Sequence, residues 1–254
     1  MARFVKTPEE IALLREGGRR LAGILQRVAG AVAPGVRTRE LDALAEQLIR
    51  KAGGKPSFKG YKGRGKIPYP AALCTSVNDA LVHGIPTDYV LKDGDIIGLD
   101  IGMVWKGLYT DTAVTVPAGN IEKRTRELLW ATRESLDAGI ARVREGAALG
   151  DIGHAIQQYL EKHGFGVIRE LVGHGVGYAV HEEPEIPNWG TIGTGMRLKE
   201  GMIIALEPMA SIGSPDIALD ADGWTWKTKN GQNTAHFEHT LAVLKDGAEI
   251  LTFV

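Results

Sequence analysis

The sequence predicts an α/β fold of two similar halves related by an approximate two-fold axis, and three observations lead there. The run Leu91-Lys92-Asp93-Gly94-Asp95-Ile96-Ile97-Gly98-Leu99-Asp100 returns 107 positions later as Leu198-Lys199-Glu200-Gly201-Met202-Ile203-Ile204-Ala205-Leu206-Glu207. The stretch from Pro34-Gly35 to Gly53 returns from Glu145-Gly146 to Gly164, at an offset of 111. A near-constant offset across helix-like and strand-like stretches indicates a duplicated unit. Third, Ile96, Ile97, Leu99, Ile101, Val104, Trp105 and Tyr109 favour strands around Lys106-Gly107, a two-residue hairpin turn. The halves are expected at roughly 7–118 and 119–254 of one domain spanning 1–254.

Along the chain, Thr7-Pro8-Glu9-Glu10 starts a helix, with Thr7 as cap, Pro8 at the first helical position and Glu10 closing a capping box. Ile11, Leu14, Leu21, Leu25 and Val28 continue it to Pro34-Gly35. Thr38 is expected to cap a second helix, which carries Leu41, Leu44, Leu48 and Ile49 on one face and stops at Gly53-Gly54. Residues 55–70 read as a Gly- and Lys-rich loop. Leu73 to Val77 and Ala80 to Ile85 read as strands around Asn78-Asp79. Asn120 is expected to cap a long helix through Leu128, Leu136 and Ile140, and Ile152, Ile156 and Leu160 mark a fourth that ends at Gly164. Short strands and turns follow to the C-terminus.

The turn length decides where two acids point. If Trp105 pairs with Leu108, Asp111 falls opposite Gly102, and Asp100, two residues away, shares its face. An odd-length turn would place the two acids on opposite faces. Carboxylates about 4 Å apart repel by roughly 4 kcal/mol at an effective dielectric near 20, which an apolar strand pair tolerates only with a proton or cation between them. The repeat places Glu207 where the first half has Asp100, and each is followed by a further acid, Asp111 and Glu238. Four carboxylates gathered at one seam call for divalent cations, and oxygen-rich ligation suits manganese, iron, cobalt or zinc.

Composition excludes other readings. A net charge of −1 gives no field that would select nucleic acid or an anionic membrane. The single Cys74 rules out an internal disulfide and favours a reducing compartment, and no apolar run reaches spanning length, so the cytoplasm is expected. His174 sits among glycines in Val172-Gly173-His174-Gly175-Val176-Gly177 and could add one nitrogen ligand to the oxygen cluster. His83 and His181 could equally be satisfied structural histidines; His154 reads as solvated, and His163 as a cation complementing a helix end.

With Asp100, Asp111, His174, Glu207 and Glu238 in this order, and with the contexts GHGVGYAVHEEP, ALEP and FEHT, the chain resembles the type I methionine aminopeptidases from about Thr7 to its end. The resemblance implies the pita-bread fold, a curved and largely antiparallel sheet between two related halves. It implies removal of the initiator methionine from nascent chains when the next residue is small, with two divalent metals activating a water. By position, Asp100, Asp111 and Glu238 would hold the first metal. His174, Glu207 and Glu238 would hold the second, with Asp111 bridging and Glu207 also moving a proton. His181 would stabilise the oxyanion and His83 would hold the peptide beyond the scissile bond. Tyr69, Cys74, Met209 and Trp224 would line the methionine pocket, with Phe58 and Tyr61 nearby. Asn78 and Thr234 match positions that often hold a monovalent cation. A monomer is expected.

Three departures stand out: an insertion at Arg64-Gly65-Lys66-Ile67-Pro68, Val180 where the family usually has phenylalanine, and His236 where it usually has glutamine. The loop carries Lys59, Lys62, Arg64 and Lys66, and is expected to help recruit nascent chains at the ribosome. Imidodipeptidases and proline-specific aminopeptidases share the fold and ligand set but usually add an N-terminal domain. Metal-free binding modules of this fold are expected to have lost ligands.

Overall fold

The computed structural model describes residues 4–63 and 67–253. Helix α1 (Pro8–Ala29) begins as its sequence demands: the Thr7 hydroxyl accepts from the Glu10 N–H, and the Glu10 carboxylate accepts from the Thr7 N–H at 2.8 Å. Helix α2 (Thr38–Lys51) starts one residue earlier than expected, with Arg37 at the cap position. The Thr38 hydroxyl bonds instead to both polar groups of the Thr87 backbone, a distant partner that outcompetes the local cap. Helix α3 (Lys123–Ile140) follows Glu122 rather than Asn120, whose N–H is taken by the Asp93 carboxylate at 2.8 Å. Helix α4 (Leu149–Lys162) ends before Gly164, whose φ of 72° lets the chain turn away.

In chain order the strands are β1 (Lys55–Pro56), β2 (Leu73–Val77), β3 (Ala80–Val82), β4 (Asp95–Trp105) and β5 (Leu108–Ala118) before α3. After α4 come β6 (Gly166–Val167), β7 (Gly173–Gly175), β8 (Glu182–Ile186), β9 (Ile203–Leu206) and β10 (Met209–Ser211). The last are β11 (Ile217–Leu219), β12 (Trp226–Thr228), β13 (Thr234–His236), β14 (Glu238–Leu244) and β15 (Gly247–Ile250). The main antiparallel sheet runs β1-β4-β5-β14-β9-β7-β8, with β2 beside β4 and β15 beside β14. Strand β3 stops short of Ile85, because His83 leaves the extended region at φ 58°, and it joins β12 rather than β2.

Trp105 pairs with Leu108 and Gly102 with Asp111, and Lys106 and Gly107 take φ of 50° and 86°, as a two-residue hairpin turn requires. Paired residues share a face and alternate residues return to it. Asp100 and Glu238 both face Ala113, and His174 and Thr240 both face Ala205. Asp100, Asp111, His174 and Glu238 therefore project from one face, and Glu207, one residue beyond β9, continues the parity of Ala205. The other face is apolar. Ile97, Leu99 and Ile101 pack on Leu21, Leu25 and Leu41 of α1 and α2. Ile204, Leu206 and Leu241 pack on Leu128, Leu136, Ile152 and Ile156 of α3 and α4. The result is a curled α+β sheet with helices outside and carboxylates inside, the pita-bread arrangement.

The seam between β5 and β14 has only two register pairs, and threonine hydroxyls bridge it. Thr112 donates to the Glu238 carbonyl at 2.8 Å and Thr115 to the His236 carbonyl at 2.9 Å. The Thr240 hydroxyl, fully buried, donates to the Asp111 carbonyl at 2.7 Å and accepts from the Asp111 N–H at 3.0 Å. Thr240→Val should therefore orphan two buried backbone groups and lower unfolding free energy by about 2–4 kcal/mol, read as a lower urea midpoint at unchanged slope. Thr240→Ser should stay within about 1 kcal/mol of wild type.

Candidate metal centre

One donor atom each of Asp111, His174 and Glu238 lies within 4.8 Å of the other two. Glu207 bridges to them: one carboxylate oxygen is 3.5 Å from His174 Nε2 and the other 3.3 Å from His236 Nε2. His174 Nδ1 is 2.8 Å from the Gly175 carbonyl, so it carries the ring proton and leaves the Nε2 lone pair facing the acids. Asn188, which nothing in its sequence context singles out, holds Glu207 in place by donating to its carbonyl at 2.9 Å.

The electrostatics of the cluster are unbalanced. Asp100, Asp111 and Glu238 are all buried, and among the described residues the ion-pair partners of the four acids are histidines alone. Asp100 Oδ1, Glu238 Oε1 and His236 Nε2 are buried without a hydrogen-bond partner. Burial pushes the Asp100 carboxyl up to about 6. Burial, and then the charge of Asp100, raises Asp111; burial, and then the charge of Asp111, raises Glu238. For Glu207 burial also works upward, but the His236 imidazole 3.3 Å away and the neighbouring His174 and His181 outweigh it and leave the carboxyl below its ordinary range. Orphaned oxygens, crowded anions and one aimed imidazole nitrogen form a donor set that fits a divalent cation.

The cluster forms the floor of a cleft of about 760 Å³ that also reaches His83, His181, Tyr69, Cys74, Met209 and Trp224. Every residue expected at the metal centre or in the pocket is thus brought to one cleft, and Phe58 and Tyr61 line it as well. Tyr69 is fixed by donating to the Gly84 carbonyl at 2.8 Å, and Trp224 stands edge-on to it at 5.3 Å. Val180 packs with Phe58, Tyr69 and Cys74 against this wall. The inserted Arg64, Gly65 and Lys66 lie outside the described residues; Ile67 accepts a bond from the Trp224 indole at 3.1 Å. Burial lowers His83 to about 4. His181 opens to the cleft, yet the surrounding walls lower it to about 3, so both rings are neutral at pH 7. His181 Nδ1 lies 2.8 Å from the Tyr61 hydroxyl, a partner that the sequence does not reveal.

A model of metallopeptidase family M24 matches residues 12–245. The chain is 47% identical over 249 residues to methionine aminopeptidase 1 of Bacillus subtilis, covering 98% of each protein. Its structure is similar to that of a methionine aminopeptidase from Thermotoga maritima, with a TM-score of 0.94, 44% identity, and coverage of 98% of this chain and 99% of that one. The prolidase from Pyrococcus furiosus shares the fold at a TM-score of 0.81, but at 22% identity and with only 66% of its chain covered. A family model over residues 12–245, with relatives this similar over their whole length, places the chain in metallopeptidase family M24, among its methionine aminopeptidases.

Proposed function

We propose that the chain is a cytoplasmic enzyme that removes the initiator methionine from nascent polypeptides and peptides with a small second residue. The observation that carries this reading is the junction of two surfaces: an apolar pocket at Tyr69, Cys74, Met209 and Trp224 opens onto carboxylates that need cations. Aromatic walls and a buried thiol suit an unbranched, polarisable thioether. Asp100, Asp111 and Glu238 would hold one divalent ion, and His174, Glu207 and Glu238 a second, with Asp111 bridging. Such a pair, of manganese, iron, cobalt or zinc, supplies a nucleophilic water at neutral pH and polarises the scissile carbonyl.

The chain's own groups do the rest. Glu207, held between His174 and His236, takes the proton and passes it to the leaving amine. With Tyr61 donating to Nδ1, His181 carries its proton on Nε2 and donates it to the developing oxyanion, a role whose loss costs about 3 kcal/mol. His83, neutral and set by its left-handed backbone, contacts the peptide beyond the scissile bond. A monovalent cation near Asn78 and Thr234 would compete with the Thr234 N–H and hydroxyl, which donate to the Asn78 carbonyl at 2.9 and 3.1 Å. One monomeric unit over 1–254, with halves meeting near residue 118, is the matching organisation. Ribosome recruitment through the 59–68 loop would rest on exposed Lys62 with Arg64 and Lys66, since Lys59 already pairs with Glu46 at 2.7 Å.

Turnover of Met-Ala-Ser and of X-Pro peptides, after reconstitution with each metal in turn, tests the reading. Cleavage of the first and not the second is expected. X-Pro cleavage alone would assign the chain to the proline-specific peptidases. A chain that takes up no divalent ion under anaerobic conditions would instead be a metal-free binding module, against which the five intact donors speak.

A further inference from the structure

The turn that carries His181 is tied down by the start of the chain. Lys6 is almost fully buried, and its ammonium lies 2.6 Å from Glu182, the residue after His181. The other oxygen of Glu182 accepts the N–H groups of Tyr178 and of Ala179, the latter at 2.8 Å, so this carboxylate organises residues 178–182. The Lys6 ammonium also sits 4.3 Å over the Tyr178 ring, and the Tyr178 hydroxyl donates to Glu10 in the first turn of α1 at 2.9 Å. Lys6 is itself anchored, its N–H donating to the Gly201 carbonyl at 2.8 Å while Val5 bridges Met202. The packing is close: Gly177 has φ of 134°, and a Cβ there would lie 2.5 Å from Lys6 Cε.

A buried ion pair contributes little net stability, because desolvation offsets the attraction, but removing one partner leaves the other uncompensated and frees whatever it held. From this geometry we infer that Lys6 is a positioning residue: through Glu182 it sets the place of His181 over the cleft. The inference rests on the reading of His181 as an oxyanion donor. Misplacement by about 1 Å costs up to about a hundredfold in rate, so a turn loosened but still tethered through Tyr61 should lose about tenfold.

The test uses the full chain loaded with manganese, Met-Ala-Ser as substrate, and the variants Lys6→Met, Lys6→Arg, His181→Ala and the double variant of Lys6→Met with His181→Ala. Lys6→Met should lower kcat about tenfold with KM within about twofold and manganese affinity unchanged, and Lys6→Arg should recover most of the loss. The double variant should be no slower than His181→Ala alone. Multiplied losses in the double variant, or wild-type kcat in Lys6→Met beside a slow His181→Ala, would overturn the inference. Wild-type kcat in His181→Ala would overturn it too, by removing the role it serves, whereas failure of the whole aminopeptidase reading would show as no turnover by the unmodified chain. Should Lys6→Met not fold, Glu182→Gln keeps an acceptor for the two N–H groups while weakening the ion pair. A tenfold lower kcat there supports the inference, and an unchanged kcat overturns it.

Discussion

Asp111→Asn is expected to lower kcat/KM for a methionyl tripeptide by at least about a thousandfold, some 4 kcal/mol of transition-state stabilisation. Asp111 lies at the middle of the donor set, near His174 and Glu238 and on the face shared with Asp100. Its backbone is fixed on both sides by Thr240, so an asparagine would occupy the same place and change only charge and donor chemistry. The loss should appear in kcat and in metal affinity together. Stability of the metal-free protein should move the other way. Burial and the charge of Asp100 already raise the Asp111 carboxyl, so neutralising it relieves crowding. A gain of about 1 kcal/mol, or about 2–4 °C in melting temperature, is expected for the chelator-treated variant at neutral pH. An Asp111→Asn protein with wild-type turnover and metal content would remove this residue from the centre.

Stripping the metal should abolish turnover and change how stability depends on pH. In the metal-free protein Asp100 titrates near 6, against about 3.9 for an unfolded chain, and Asp111 and Glu238 are raised as well. A carboxyl raised in the folded state binds more protons there than when unfolded. Its contribution is therefore complete below about pH 4 and lost as pH rises through about 6 and beyond. Bound cations favour the ionised carboxylates and compensate where the loss is greatest, adding about 2.7 kcal/mol per site at a hundredfold excess over Kd. The difference in melting temperature between manganese-loaded and chelator-treated protein should thus widen from pH 5 to pH 8. Calorimetry across that range checks it, and a difference independent of pH would mean that the cations do not sit among these carboxylates.

Much of this centre was legible because its signals are local or repeated. Two residues between Trp105 and Leu108 fix strand parity, which alone sets Asp100 and Asp111 on one face. Duplication of the L-K-acid-G pattern pointed to Glu207 as the counterpart of Asp100. The helix start at Thr38 was misplaced because Thr87, remote in sequence, claimed the hydroxyl that a local cap would have used, and the start at Asn120 falls two residues early, where the backbone N–H is held by the remote Asp93. Asn188 behind Glu207, Tyr61 beside His181 and Thr240 across the seam share that character: each acts through a partner brought near only by folding.

By itself the sequence determined the alternation of strands and the acid-bearing positions, since periodicity and turn length act between neighbours along the chain. Only the tertiary structure decided that β5 meets β14, that a cleft of about 760 Å³ ends on the carboxylates, and that Lys6 reaches the turn of His181. The seam and the Lys6 contact join residues more than a hundred positions apart, selected by burial of whole surfaces rather than by any local preference.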